Sequence, residues 1–401
     1  MSFRILLLEG IHPKAKELLE REGYQVRAEK YAPSEAELLG LVKNFDVIGL
    51  RSKTQLTKKV LESNPQILSV GAFCIGTDQV DTLHANTLGI PVFNAPYSNT
   101  RSVAELVIAE VVALSRQLGD RNTKAHQGIW EKSALGSREI RGKTLGLVGY
   151  GHIGSQLSVL AESFGMRVVY FDVVKKLPLG NSHPCESLAE LLLQSDFVSL
   201  HVPDTAQTRN MLTQAELKKM KKGSYLINAS RGAVVNIPDL AEQLRSGHLA
   251  GAAIDVFPHE PSSNDEKFKS ELQGLPNVIL TPHIGGSTEE AQEAIGIEVA
   301  QSFLNYLKTG STRGAVNFPN VDLPILHQNS HRLLNVHRNV PGVLGEINSV
   351  VSELGANITA QYLSTDSVIG YLVMDMEKAA AEEVCRRVRA LETSIQTRMV
   401  F

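Results

Sequence analysis

The chain is poor in cysteine. Cys74, Cys185 and Cys385 lie far apart, with no CxxC pair among them. An odd number of scattered thiols argues against a disulfide framework and against a zinc site, and favours a reducing compartment, the cytoplasm by default. No metal is expected. Long apolar runs are missing as well; none approaches the roughly 20 residues that span a bilayer. The opening stretch "MSFRILLLEG" has a short apolar core interrupted by Glu9. It suits a buried strand, and no signal peptide is visible. Charge of one sign is also lacking. With 40 basic and 43 acidic side chains and a net charge of -3, no global field draws the protein to nucleic acid or an anionic membrane.

What is present is periodic. At 401 residues and 43% hydrophobic content, the chain can build roughly two to three globular domains. Short apolar runs such as "RILLLEG", "DVIGLRS" and "ILSVGAFC" alternate with helical patterns, which implies an α/β fold with mostly parallel sheets. A long helical pattern, "TRSVAELVIAEVVALSRQL", closes the first series. A second series runs from "KTLGLVGYGHIGSQLSVLAESFG" to "NVILTPH", and another long helical pattern follows. The stretch "STRGAVNFPNVDLPILHQNS" is rich in turn residues and reads as a linker. Beyond it the patterns spell βαββαβ, the order of a small ferredoxin-like unit.

Gly149, Gly151 and Gly154 have G-x-G-x-x-G spacing between an apolar strand and a helix. In that context the glycines serve a tight turn, backbone approach to a pyrophosphate and helix–strand packing. Asp172 ends the next strand at about the 20-residue distance expected for a carboxylate that holds ribose hydroxyls, which favours NAD over NADP. Further on, strand ends offer Arg231, then Asp255 and Glu260, then His283. Open α/β sheets place ligands at such ends. An Arg, a carboxylate and a His beside a nicotinamide suit oxidation of a 2-hydroxy acid. His283 can take the hydroxyl proton, Glu260 can stabilise the imidazolium, and Arg231 can hold a carboxylate and polarise the oxygen. His201, also at a strand end, is a weaker rival for the base.

"GYGHIGSQL", "NASRGAVV", "AAIDVFPHEP" and "TPHIGGSTEEAQ", in this order, resemble the D-isomer-specific 2-hydroxyacid dehydrogenases. The upstream "GLRSKTQLT", "CIGTDQVD" and "NAPYSNTRSVAELVIAE" resemble the substrate half of the branch that acts on 3-phosphoglycerate. The resemblance implies a Rossmann-type nucleotide domain (99–285) inserted in a flavodoxin-like, discontinuous substrate domain (1–98 and 286–326). It implies catalytic roles for Arg231, Glu260 and His283. Cofactor contacts are implied at Gly149, Gly151, His152, Ile153, Gly154 and Asp172. They extend to Ala229, Ser230, Arg231, Asp255, His283, Ile284, Gly285 and Gly286. Lys30, Arg51, Ser52, Lys53 and Lys132, with Arg231, would surround the anionic substrate.

The terminal unit (327–401) resembles an ACT domain, a regulatory module. "HRNVPG" and "GANITAQ" imply an L-serine site using His337, Asn339 and Asn357. The family resemblance also implies a homotetramer, the first step of serine biosynthesis with feedback inhibition, and side reduction of 2-oxoglutarate. The competing readings are another D-2-hydroxyacid dehydrogenase and a dinucleotide-sensing, corepressor-like binding protein.

Overall fold

In the computed structural model, which describes residues 3–261, 266–324, 326 and 330–401, the first five apolar runs become strands. These are β1 (Arg4–Leu7), β2 (Gln25–Ala28), β3 (Val47–Leu50), β4 (Ser69–Ala72) and β5 (Val92–Asn94). They form one parallel sheet in the order β2-β1-β3-β4-β5. Every residue of β3 and β4 is buried, as expected of parallel strands covered on both faces. One face packs on the helix Glu289–Thr309 through Val299, Phe303 and Tyr306. Leu38, Val42, Leu61 and Ala85 cover the other.

The second series supplies β6 (Thr144–Val148), β7 (Arg167–Phe171), β8 (His183–Pro184), β9 (Phe197–Leu200), β10 (Ser224–Asn228), β11 (Leu249–Ile254) and β12 (Val278–Leu280). All pair in parallel, in the order β12-β11-β10-β9-β6-β7-β8. The chain works outward from β6 to β8, then jumps back to β9. That reversal opens a crevice beyond the carboxyl ends of β6 and β9, the place where such sheets bind ligands.

The last four strands are β13 (Ser330–Arg338), β14 (Ile358–Thr365), β15 (Ile369–Glu377) and β16 (Ser394–Val400). They form an antiparallel sheet ordered β14-β15-β13-β16. Alternation along each strand divides its side chains between two faces. Leu333, Leu372, Met374 and Met376 pack under the helices Val343–Glu353 and Lys378–Arg389. Leu334, Val336, Tyr371 and Val373 join the same core as Phe303, Tyr306 and Phe318. On that second face Arg332, fully buried, bonds both oxygens of Asp375 at 2.6 and 2.7 Å and caps the carbonyls of Thr309 and Pro324. Removing one partner of such a pair costs about 3–5 kcal/mol, so it fixes how this sheet seats.

By packing, the chain divides into two compact units, residues 1–98 with 292–401, and residues 99–291. The expected module boundary at 326 and 327 borders residues 327–329, which lie outside the described residues. No helix among the described residues is long and apolar enough to cross a membrane.

Candidate active site

β6 ends at Val148, and the three fingerprint glycines follow. Gly149 turns the chain at φ +92°. A Cβ there would run into the carbonyl of His201, and one on Gly154 would run into the carbonyl of Gly149. Both glycines are therefore demanded by the protein's own packing. Gly151 is different: nothing lies within 4 Å of where its Cβ would be. It caps the helix His152–Ser163 without a side-chain bond, and the N–H groups of the helix's first turn point out of that end. With the helix dipole behind them, they suit a phosphate. Asp172, just beyond β7, accepts the Tyr150 N–H at 2.8 Å and the Val174 N–H at 2.9 Å. Each oxygen keeps capacity for a further donor such as a ribose hydroxyl. These residues fit a dinucleotide.

Three loops leave the adjacent ends of β10, β11 and β12. The first is shaped by Asn228, fully buried, whose amide oxygen accepts both the N–H and the hydroxyl of Ser230. Its amide nitrogen donates to the Arg231 carbonyl at 3.0 Å. Any Cβ on Gly232 would strike the backbone of Phe257, so the Arg231 loop and the Glu260 loop touch main chain to main chain. Glu260 accepts the Phe257 N–H at 3.1 Å through one oxygen, and its other oxygen meets His283 Nδ1 at 2.9 Å. His283 itself is left-handed at φ +55°, held by its N–H on the Asp255 carbonyl at 2.8 Å. The buried Asp255 carboxylate accepts the Thr281 hydroxyl at 2.6 Å and the N–H groups of Ile284 and Gly285, both at 2.8 Å. The loop that carries His283 is thus clamped from below by one side chain.

The electrostatics follow from this clamp. The bond to Glu260 raises the His283 imidazole above its ordinary value, against burial, and the charges of Glu260 and Asp255 add to it. Burial alone would raise Glu260. The His283 bond and charge, the Phe257 N–H and the Arg231 charge outweigh it and hold the carboxyl below its usual value. With Glu260 ionised, Nδ1 carries the hydrogen and Nε2 is left with a lone pair to receive a proton. His201 lacks this support. Burial pushes it down to about 4, and its ring bonds only the Ser199 hydroxyl among the described residues. Burial first, then the Asp255 charge, push Glu110 up to about 8, so this buried carboxyl is largely protonated at neutral pH.

Other expected site residues lie elsewhere. Arg51 is half-buried just after β3, with Ser52 and Lys53 exposed beside it, and Lys30 is exposed after β2. Lys132 is exposed on the stretch after the helix Leu118–His126. His337 is only 3% exposed, its ring on the Asn335 side chain at 2.9 Å. Asn339 and Asn357 are exposed. Asn339 donates to the Asp366 carbonyl at 2.6 Å, and Asn357 reaches Glu377 at 3.4 Å. Sequence reasoning missed Asn228 and Thr281. The available signal was a polar residue ending an apolar run, directly before Ala-Ser-Arg-Gly in one case and Pro-His in the other.

Residues 108–285 match the model of the D-isomer specific 2-hydroxyacid dehydrogenase, NAD binding domain, and residues 333–396 match that of the AHAS small subunit-like ACT domain. The chain is 52% identical to a D-3-phosphoglycerate dehydrogenase of Dictyostelium discoideum over 400 residues, covering 100% of this chain and 98% of that protein. It is 51% identical to the D-3-phosphoglycerate dehydrogenase of Escherichia coli strain K12, with the same coverage of both. Among solved structures, the D-lactate dehydrogenase of Aquifex aeolicus complexed with NAD and lactic acid aligns with a TM-score of 0.66 at 28% identity, covering 75% of this chain and 95% of that one.

Proposed function

The chain belongs to the D-isomer-specific 2-hydroxyacid dehydrogenases, in the D-3-phosphoglycerate dehydrogenase branch, and on that premise we propose that it oxidises 3-phospho-D-glycerate to 3-phosphohydroxypyruvate with NAD. The observation that carries the chemistry is the His283–Glu260 pair, bonded through Nδ1 with Nε2 left to act. When bound, NAD accepts the hydride from the substrate carbon. His283 takes the hydroxyl proton on Nε2, and Glu260 stabilises the imidazolium that results. Arg231 holds the substrate carboxylate and polarises the oxygen as it becomes a carbonyl. Arg51, Ser52 and Lys53, with Lys30 and Lys132, supply the basic surround for the phosphate.

The terminal module is read as the L-serine sensor of the same pathway. Gly342 caps the helix Val343–Glu353 at φ +96° without a side-chain bond, leaving N–H groups that suit an amino acid's carboxylate. Asn339 and Asn357 supply donors and acceptors from two copies of the chain in a homotetramer, and His337 acts from within the sheet. Side reduction of 2-oxoglutarate and a cytoplasmic location belong to this reading. NADH formation from 3-phosphoglycerate at alkaline pH, with lactate and glycerate as controls and L-serine added last, tests it. Turnover confined to 3-phosphoglycerate and slowed by serine is expected. Equal turnover of lactate would overturn the substrate assignment.

A further inference from the structure

The end of β1 makes an unusual turn. Glu9 and Gly10 are both left-handed, each at φ +62°. For Gly10 that costs nothing, but for glutamate it is a conformation that something must hold. The Glu9 carboxylate is bonded to the backbone of a loop more than forty residues away. Its Oε1 accepts the N–H of Arg51 at 3.1 Å and of Thr54 at 2.8 Å, and its Oε2 accepts the N–H of Lys53 at 3.0 Å. The same turn grips the other basic loop through the main chain. The Glu9 N–H donates to the Tyr31 carbonyl at 3.2 Å, and the Gly10 N–H to the Glu29 carbonyl at 2.9 Å, one on either side of Lys30.

We propose that Glu9 is the positioning residue of the anion-binding surface: its carboxylate fixes the backbone beneath Arg51, Ser52 and Lys53 while its main chain fixes the loop of Lys30. The proposal rests on the reading of Arg51 and its neighbours as the phosphate contacts. The chemistry is economical. Loop N–H groups that could have drawn an anion of their own are filled by an internal carboxylate, so the substrate is met by the side chains, whose stems are now held. Arg51 is further pinned by the Gln79 side chain on its carbonyl at 2.6 Å. Glu9 acts through the loop and not by touching the substrate.

The test separates carboxylate from conformation. Glu9→Gly keeps the left-handed turn and loses both acceptor oxygens with their three bonds. Glu9→Gln keeps the length and turns an amide N–H toward at least one of the three donors. Both are expected to raise the KM for 3-phosphoglycerate about tenfold, the loss of one charge-assisted set of bonds. The kcat and the KM for NAD are expected to stay within about twofold, and the preference for 3-phosphoglycerate over D-glycerate to fall. Glu9→Asp is expected to recover part of the KM. A merely structural role would lower thermal stability without moving that preference, and would overturn the proposal. Arg51→Ala is run beside them. If it leaves the preference unchanged, the loop does not meet the phosphate, and both readings fall. If it abolishes the preference while Glu9→Gly and Glu9→Gln do not, only the positioning role fails.

Discussion

In the nucleotide-binding unit, Arg231, Glu260 and His283 follow β10, β11 and β12, three neighbours in a parallel sheet. Parallel strands end on one edge, so the three loops leave side by side and meet within one chain. In the terminal module, Asn339 follows β13 while Asn357 precedes β14. Both strands run antiparallel to β15, which lies between them. Arg338 is opposite Ile369 at one end of β15, and Ile358 is opposite Met376 at the other. At about 3.3 Å per residue the two asparagines are roughly 20 Å apart or more. A ligand the size of an amino acid cannot touch both in one chain. On the proposed readings, the catalytic groups come from a single copy, and the L-serine site draws on two.

The largest effect should come from the self-contained site. His283→Ala is expected to lower kcat by roughly two to four orders of magnitude, the contribution of a lost general base. Because each chain holds its own base, assemblies mixed from wild-type and His283→Ala chains should keep activity in proportion to the wild-type fraction. Steady-state rates across a mixing series check this. Near-normal turnover in the pure variant would return His201 to consideration.

Much of that site is legible in the sequence because strand ends in a parallel sheet share an edge, and an apolar run marks each strand. The G-x-G-x-x-G spacing can be read, but not the distinction within it, since only packing shows that Gly149 and Gly154 serve the protein and Gly151 faces open space. Thr281 and Glu9 escape because their partners are fixed by tertiary contact; the Arg51 N–H that Glu9 accepts is 42 residues away. His337 reads as both the end of a strand and the opening of a ligand-binding turn; the strand does run to Arg338, and only alternation along the ladder places the His337 side chain on the same helix-covered face as Leu333 and Asn335. Nor does the sequence show that Arg332 is buried, since its partner Asp375 is met only across the ladder.

A smaller effect, in pH rather than in rate, sharpens the role of the pair. With His283 as the proposed base, oxidation needs its ring neutral. Glu260 raises the imidazole above its ordinary value, so the acid limb of kcat/KM should lie above about pH 6.5. Glu260→Gln removes both the charge and the strongest bond to the imidazolium. The acid limb should therefore move to lower pH, while the maximal rate falls because the charged product of proton transfer is less stabilised. Reduction of the keto acid needs the protonated ring, so its alkaline limb should move down in parallel. A pH profile that stays in place would mean the two side chains do not titrate together.

The smallest expected effect is the partial return of a lost response, and it tests the other half of the comparison. Asn339→Ala and Asn357→Ala should each abolish slowing by L-serine, read as the ratio of rates with and without serine in the same variant. If both asparagines served one ligand within one chain, mixing the two variant chains could restore nothing. If the site spans a two-fold interface, a mixed pair behaves otherwise. One of its two sites combines both substitutions, and the other combines both native asparagines. Random re-pairing makes half of the pairs mixed, so about one quarter of all sites should be intact. Dissociating and reassembling equal amounts of the two variants should therefore restore a fraction of serine binding, measured by calorimetry, together with a fraction of the inhibition. Serine can slow the enzyme only if it binds the less active arrangement more tightly. Recovery of binding without inhibition would show that one occupied site is too few to shift that balance. No recovery of binding would place the two asparagines in separate sites and remove the shared-interface reading.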